Sequence, residues 1–478
     1  MSDIEWLIDD VENSPWGPRV GAFFAFDGTL ISGYSAAAFF EQRLEHGEIP
    51  LKDLLHTTVE RVAVERRIHD VSELMRIGIE AQAGQSYEEF EGWSRKVFAK
   101  RISGMVFPEA RTLVDAHLRM GHTVVIASSA TTLQIGPTAE DLGINHLVCT
   151  QIEVNDEGVV TGRLDGELCW GSAKVDALKR FATDHDVDLS RSFAYSNGSE
   201  DLPMLESVGR PRAVNPDADL AKVARKRRWG IAHLKLPPKT TPITIARSAA
   251  AAGVFAAGVV TGAAMAVLNR NRTVGANVAA TVGSDLTLAT AGVELRVVGE
   301  KNAWSHRPAV FIFNHQSQLD VFVLGSVLRR DFTGVAKKSL EHDPLFAPVG
   351  YLADVAYIDR ANTAKAVEAL GPVVDALKGG RSIAIAPEGT RSPTPRLLPF
   401  KKGAFHVAMQ ANVPIVPVVM RNCGELMRAH SYVVHPGTVD VAVLQPIFTK
   451  GWNKENLDSK IAEVRGMFLK TLANWPTR

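Results

Sequence analysis

Twenty consecutive residues without a charge, Ala249–Leu268 (AAAAGVFAAGVVTGAAMAVL), lie in the middle of this chain and divide it. The run is long enough to cross a bilayer. Alanine and glycine dominate it, however, so a buried or interfacial helix fits its marginal hydrophobicity as well as a lipid-inserted one. Its small residues would let another helix approach closely. Arginines flank it on both sides, Arg247 before it and Arg270 and Arg272 after it, so charge bias sets no orientation. One complete span would place the two large flanking blocks on opposite sides of a membrane. A re-entrant hairpin or an interfacial helix avoids that, with the more polar, amphipathic Val274–Leu295 as its second arm. The expectation is therefore membrane association at the cytoplasmic face.

A chain of 478 residues exceeds a single core and calls for two or three domains. The expected division is 1–232, a linker and helical hairpin over 233–295, and 296–478. The linker contains His233–Thr241 (HLKLPPKTT), rich in proline and turn residues. The formal net charge is zero, which removes any whole-chain case for binding nucleic acid. The basic stretch Lys222–Arg228 (KVARKRR) reads either as a solvated helix face or as an attraction for anionic membrane lipids. Three scattered cysteines, Cys149, Cys169 and Cys423, have no metal-ligand spacing and suit a reducing compartment. The acidic start, MSDIEWLIDDVENS, lacks the basic and apolar regions of a secretory signal.

The third block alternates strand and helix patterns, with strands expected at Val310–Phe313, Arg381–Ala386 and Ile415–Val419. Directly after the first of these come Asn314-His315-Gln316-Ser317-Gln318-Leu319-Asp320. If the chain turns into a helix there, Asp320 can hold one imidazole nitrogen of His315 and leave the other to take a proton. Alone, that spacing is more often a pair of solvated loop residues. The segment Ala386-Pro387-Glu388-Gly389-Thr390-Arg391-Ser392 is a strand followed by a tight turn with an arginine, a geometry suited to a phosphomonoester. Phe400-Lys401-Lys402-Gly403 adds cations, and Val413-Pro414-Ile415-Val416-Pro417-Val418 reads as a proline-bracketed core strand.

This ordered series, N-H-x4-D, then Gly350 to Ile358-Asp359-Arg360, then P-E-G-T-R-S, then V-P-I-V-P-V, resembles the 1-acylglycerol-3-phosphate acyltransferase family of glycerolipid acyltransferases. The resemblance implies that His315 is the general base and Asp320 its orienting partner. It implies that Glu388, Gly389, Thr390 and Arg391 hold the acceptor's phosphate, with Arg360, Lys337 and Lys338 contributing. It further implies lysophosphatidic acid as acceptor, acyl-CoA or acyl-carrier protein as donor, phosphatidic acid as product, and no metal for the acyl transfer.

The first block reads as α/β, with strands at Val20–Phe26, Thr123–Ala127 and Arg191–Ser196 and a helical insert over Ile31–Ser103. Asp27-Gly28-Thr29-Leu30 follows the first strand, Ser128 the second, then Lys174, then Asn197 to Asp201. The series resembles the haloacid dehalogenase superfamily near phosphoserine phosphatase (subclass IB), a Rossmann-like fold with the insert as its cap. That chemistry needs a carboxylate nucleophile, a second carboxylate two residues on, and acidic groups for Mg2+. Ala25 stands where the nucleophile should be, and Asn197 at the first acidic position of the last motif; Asp27, Ser128, Lys174 and Asp201 remain. Ala25 is either an engineered knockout or a natural loss, and Asn197 as a second departure favours loss. Asp27, Asn197 and Asp201 would make a weak Mg2+ set at best.

The expected whole is an acyltransferase fused to an inactive phosphatase-like domain, associated with membrane lipids, with homo-oligomerisation left open. Two alternatives stand beside it. One is the same chemistry on another lysophospholipid; the other is a non-enzymatic membrane scaffold in which both domains are relics.

Overall fold

The computed structural model describes residues 2–45, 79–80, 82–342, 347–358 and 371–476. The chain divides into two compact units, Met1–Pro237 and Pro238–Arg478. The division falls within the proline pair of the expected linker, and the apolar run is folded into the second unit.

Unit 1 is built on a parallel sheet of six strands in the order β3-β2-β1-β6-β7-β8. They are β1 (Gly21–Phe24), β2 (Thr123–Thr131), β3 (His146–Thr150), β6 (Phe193–Ser196), β7 (Arg210–Val214) and β8 (Gly230–Ala232). A two-stranded hairpin, β4 (Ile152–Val154) with β5 (Val160–Leu164), stands apart from it. β1 is buried along its length because both faces are covered: Ala22 and Phe24 enter one core cluster, Phe23 and Ala25 the other. The chain leaves β1 toward β2 and β3 on one side and returns to β6 on the other. The carboxyl ends of β1 and β6 therefore flank the crevice where such sheets place ligands. Of the expected cap, the helices Ser35–Glu45 and Tyr87–Lys100 are described, while 46–78 and 81 lie outside the described residues. The β4–β5 hairpin, absent from the sequence reading, joins this region: Ile152 and Val160 pack with Ile79, Phe90 and Leu133.

Unit 2 holds a seven-stranded mixed sheet, ordered β12-β11-β13-β10-β14-β15-β9. Its strands are β9 (Val293–Val298), β10 (Val310–Phe313), β11 (Phe332–Lys337), β12 (Ala356–Ile358), β13 (Ser382–Ile385), β14 (Ile415–Arg421) and β15 (Gly437–Val443). The run β12-β11-β13-β10-β14 is parallel, so five strand ends open on one edge. Phe311 and Phe313 face one cluster and Val310 and Ile312 the other, the two-residue period of a strand covered on both sides.

The apolar run forms the core of the 27-residue helix Pro242–Leu268, about 40 Å long at 1.5 Å per residue. It buries Thr244, Ser248, Ala251, Phe255, Gly258, Val259, Gly262 and Ala266, a helical stripe, and leaves Ile243, Ile245, Val260, Val267 and Leu268 exposed. The second arm begins at Arg272, passes through a π-helical turn at Ala279–Gly283 and ends at Ala291. Glycines make the contact between the arms. A Cβ on Gly258 would stand 2.7 Å from Cα of Gly283, and one on Gly262 2.5 Å from the Gly275 carbonyl oxygen. The arm stops short of the expected Leu295: Gly292 turns left-handed at φ 76° and Val293–Val298 pairs with β15 as an edge strand.

Candidate active site

At the end of β10 the chain leaves the sheet through Asn314, whose side chain fixes the exit. Its amide donates to the Met420 carbonyl and its oxygen accepts from the Met420 N–H, both at 2.8 Å. The loop then turns into the helix Leu319–Leu328, whose first turn carries Asp320, fully buried. Oδ2 of Asp320 accepts three hydrogen bonds: from His315 Nδ1 at 2.7 Å, Gln316 N at 2.8 Å and Ser317 N at 3.0 Å. One carboxylate oxygen at the head of a helix thus shapes the loop and aims the ring. Because the carboxylate accepts, the Nδ1 proton is the one engaged. Nε2 is left as the basic nitrogen of a ring whose side chain is 19% exposed.

The loop after the neighbouring β13 supplies the second half. Glu388 is buried, and its two oxygens accept backbone N–H groups, Oε1 from His315 at 2.7 Å and Oε2 from Leu398 at 2.8 Å. Burial pushes the Glu388 carboxyl up to about 7 in spite of those donors. Both oxygens therefore bond the protein's own backbone. Ser392 N donates to the His315 carbonyl at 2.7 Å, tying the two loops a second time. Between these ties the turn exposes Thr390 and carries Arg391, whose Nη1 is buried without a hydrogen-bond partner among the described residues. Gly389 has φ 74°, and a Cβ there would meet the Lys401 side chain at 2.9 Å, so Lys401 lies across the turn.

Lys337 and Lys338 are exposed at the end of β11, on the same edge of the sheet, separated from β10 by β13. Arg360 lies outside the described residues. The sequence reading assigned no role to Asn314, Ser392 or Cys423. Asn314 alone had a visible signal there, as a polar residue capping an apolar strand.

In unit 1 the equivalent edge holds the residues that the sequence matched to phosphatase motifs. Ala25 is buried at the end of β1, its N–H donating to the Tyr195 carbonyl at 2.9 Å. Asp27 Oδ1 accepts from Ser35 N at 2.7 Å and its other oxygen from the Ser35 hydroxyl at 3.3 Å, while burial pushes the carboxyl up to about 6. Buried Lys174 donates to Asp201 Oδ1 at 2.5 Å, and Ser196 Oγ donates to Asp201 Oδ2 at 2.8 Å. Thr29 Oγ1 donates to Asn197 Oδ1 at 3.3 Å, and Ser128 Oγ accepts from Ala130 N at 3.1 Å. These residues do not fit Mg2+. Asp27 and Asp201 are each turned to a protein partner, position 25 offers a methyl group, and the described residues include no cluster of three acidic, histidine or cysteine side chains able to hold a metal.

The two units match two family models: haloacid dehalogenase-like hydrolase over residues 22–206 and acyltransferase over 294–421. The chain belongs to the first family through unit 1, and unit 2 carries the match to the acyltransferase model. Among the relatives of unit 1 is the inhibition of morphological differentiation protein of Streptomyces azureus, 33% identical over 234 residues, which are 48% of this chain and 84% of that protein. For unit 2 the 1-acyl-sn-glycerol-3-phosphate acyltransferase of Saccharomyces cerevisiae is 38% identical over 184 residues, 38% of this chain; the match spans 60% of the yeast protein's length. A crystal structure of the 1-acyl-sn-glycerophosphate acyltransferase from Thermotoga maritima aligns with 49% of this chain and 100% of that one, at 21% identity and a TM-score of 0.41.

Proposed function

We propose that unit 2 transfers an acyl group from a thioester donor, acyl-CoA or acyl-carrier protein, to the free hydroxyl of a 1-acylglycerol-3-phosphate. The observation that carries this reading is the pairing, on adjacent strand ends, of a His315 ring held by Asp320 at 2.7 Å with a buried Arg391 nitrogen that has no partner among the described residues. His315 Nε2 takes the hydroxyl proton as the oxygen attacks the thioester carbonyl. The tetrahedral intermediate then collapses, the C–S bond breaks, and the departing thiolate takes the proton back from the imidazolium. Asp320 supports the positive ring in between. Arg391, with Lys401 across the same turn and Lys337 and Lys338 at the rim, receives the acceptor's phosphate. Gly389 and Thr390 shape that turn, and Glu388 holds it against the His315 loop. Fixing the acceptor in this way supplies much of the rate by positioning.

The Pro242–Leu268 helix, which contains an 18-residue window of mean hydropathy 2.0, supports seating the unit on a membrane where its lipid substrates would reside, and we assign it to the cytoplasmic face. Unit 1 on this reading is a phosphatase fold without hydrolysis. The test is thiol release from acyl-CoA by the detergent-purified protein with 1-acylglycerol-3-phosphate, alongside His315→Ala. Acceptor-dependent release that disappears in the variant, with phosphatidic acid as product, is the expected result. Release unaffected by the substitution would overturn the assignment of the base. No release with any lysophospholipid or donor would leave the scaffold reading in its place.

A further inference from the structure

The acyl-transfer site leaves the basic stretch Lys222–Arg228 without a use. It closes the helix Ala218–Arg227 of unit 1. Leu220, Ala221 and Ala224 bury one side of that helix. Lys222, Arg225 and Lys226 stand exposed on the other, at the i, i+3 and i+4 spacing of a single face. Arg228 follows as the left-handed C-cap at φ 57°, also exposed. Arg227 is used within the unit, where it pairs with Glu206 and lies over the Trp229 ring at 5.2 Å. The other four cations have no ion pair among the described residues.

Like charges three and four residues apart weaken a helix. The helix dipole favours cations in the last turn, which lets this helix carry them. It gives no reason for a face without counter-ions in a unit rich in them: Met1–Pro237 has ten more acidic than basic residues. The order of charges along the chain adds a second observation. Between Asp219 and Asp285 there is no acidic residue, while ten lysines and arginines fall there. This acid-free stretch begins on the basic helix and passes through Lys235 and Lys239 of the linker, both exposed. It then covers the whole apolar helix Pro242–Leu268, with Arg270 and Arg272 beyond. Clustered cations next in sequence to an apolar helix are the composition that an anionic bilayer attracts.

We propose that the solvent face of the helix Ala218–Arg227, with Lys235 and Lys239, is a docking surface for a bilayer containing anionic phospholipid, and that unit 1 helps to hold the chain there. The proposal rests on the reading of Pro242–Leu268 as seated on a membrane. The negative balance of unit 1 gives the contact a direction. An anionic surface repels the rest of the unit and attracts this face, so the unit is turned as well as held. The attraction is screened over about 8 Å at physiological ionic strength, so added salt weakens it.

The experiment is flotation of the full-length protein with two kinds of vesicle, phosphatidylcholine alone and phosphatidylcholine with phosphatidylglycerol. The parent is compared with a variant carrying Lys222→Gln, Arg225→Gln, Lys226→Gln and Arg228→Gln. The parent should bind the anionic vesicles more tightly than the neutral ones. The variant should lose about a hundredfold in affinity for the anionic vesicles, change little on the neutral ones, and unfold thermally like the parent. The smaller change Lys222→Gln with Lys226→Gln should cost about tenfold. Exchanging the four residues between lysine and arginine should keep the binding, since charge carries it. Equal binding of parent and fourfold variant to the anionic vesicles overturns the proposal. If that variant instead loses binding to RNA, the face belongs to nucleic acid. Failure of the underlying reading looks different: a parent that ignores neutral vesicles but keeps charge-dependent binding overturns the seating of the apolar helix and supports the basic face.

Discussion

Replacing Asp320 with Asn removes a charge while leaving the shape of the loop almost intact, which makes it the sharpest probe of the acyl-transfer site. An amide oxygen in the place of Oδ2 can still accept from Gln316 N, Ser317 N and His315 Nδ1, now at 2.8, 3.0 and 2.7 Å. The loss is the attraction between the carboxylate and the imidazolium formed as the acceptor hydroxyl gives up its proton. With charge centres about 4 Å apart and an effective dielectric near 20, that attraction is worth about 4 kcal/mol. At 1.36 kcal/mol per decade, kcat should fall by about a thousandfold. KM for the acceptor should hold within a few-fold, because Asp320 is fully buried and does not reach the anion site. The assay is thiol release from acyl-CoA under acceptor saturation, with thermal unfolding followed in parallel to show that the variant is folded. A folded Asp320→Asn protein whose kcat lies within threefold of the parent would refute the reasoning, since the base would not depend on the carboxylate.

The remaining expectations concern both units. Arg391→Ala should raise KM for a phosphorylated acceptor by about ten- to a hundredfold, the loss of charge-assisted hydrogen bonds worth about 1.5–3 kcal/mol, and initial rates against acceptor concentration measure it. Ala25→Asp should stay inactive toward p-nitrophenyl phosphate with Mg2+, because Asn197 and the Lys174–Asp201 pair persist; ready turnover would show that one side chain alone disabled the site. Unit 1 should lose stability in acid through a buried chain in which Tyr195 Oη bonds His117 Nε2, His117 Nδ1 bonds His122 Nδ1, and His122 Nε2 bonds the Pro15 carbonyl, at 2.8, 2.8 and 3.0 Å. Burial lowers both histidines, so the unfolded chain takes the proton first: stability is complete above about 6.5 and falls below it, by about 1.4 kcal/mol per pH unit for fully buried His117. Thermal scans from pH 7.5 to 5 test this, and His117→Phe should flatten the dependence.

Much of this was legible because the proposed catalytic side chains sit at strand ends, and buried parallel strands announce themselves as short apolar runs. Val310–Phe313 was read without error, and Ile415–Val419 fell short only at its end, where the chain runs to Arg421. Three of the unread elements lack that signal. β4 and β5 are short and half exposed, and β9 alternates buried and exposed residues at a sheet edge, so its start merged with the preceding helix. The π-helical turn arises where the second arm meets Gly258 and Gly325 of two other helices, a contact between distant parts of the chain. Glu388 was legible only as a member of the P-E-G-T-R-S motif, and its tie to the His315 loop was not, since its donor His315 N lies 73 residues away in sequence.

The two sites also differ in what they leave unfinished. Buried polar atoms without partners are costly and therefore rare, and each calls for an explanation. In unit 2, Arg391 Nη1 is in that condition among the described residues, on the loop that follows β13. In unit 1, none of Asp27, Ser128, Lys174, Asn197 and Asp201 has a buried side-chain atom left without a partner. Lys174 and Asp201 neutralise each other, Ser196 completes Asp201, and Ser35 completes Asp27. A phosphate or a cation entering there would have to break bonds already made, with no carboxylate at position 25 to reward it. On the proposed reading, the first site is closed by its own side chains, and the second is held open for a substrate.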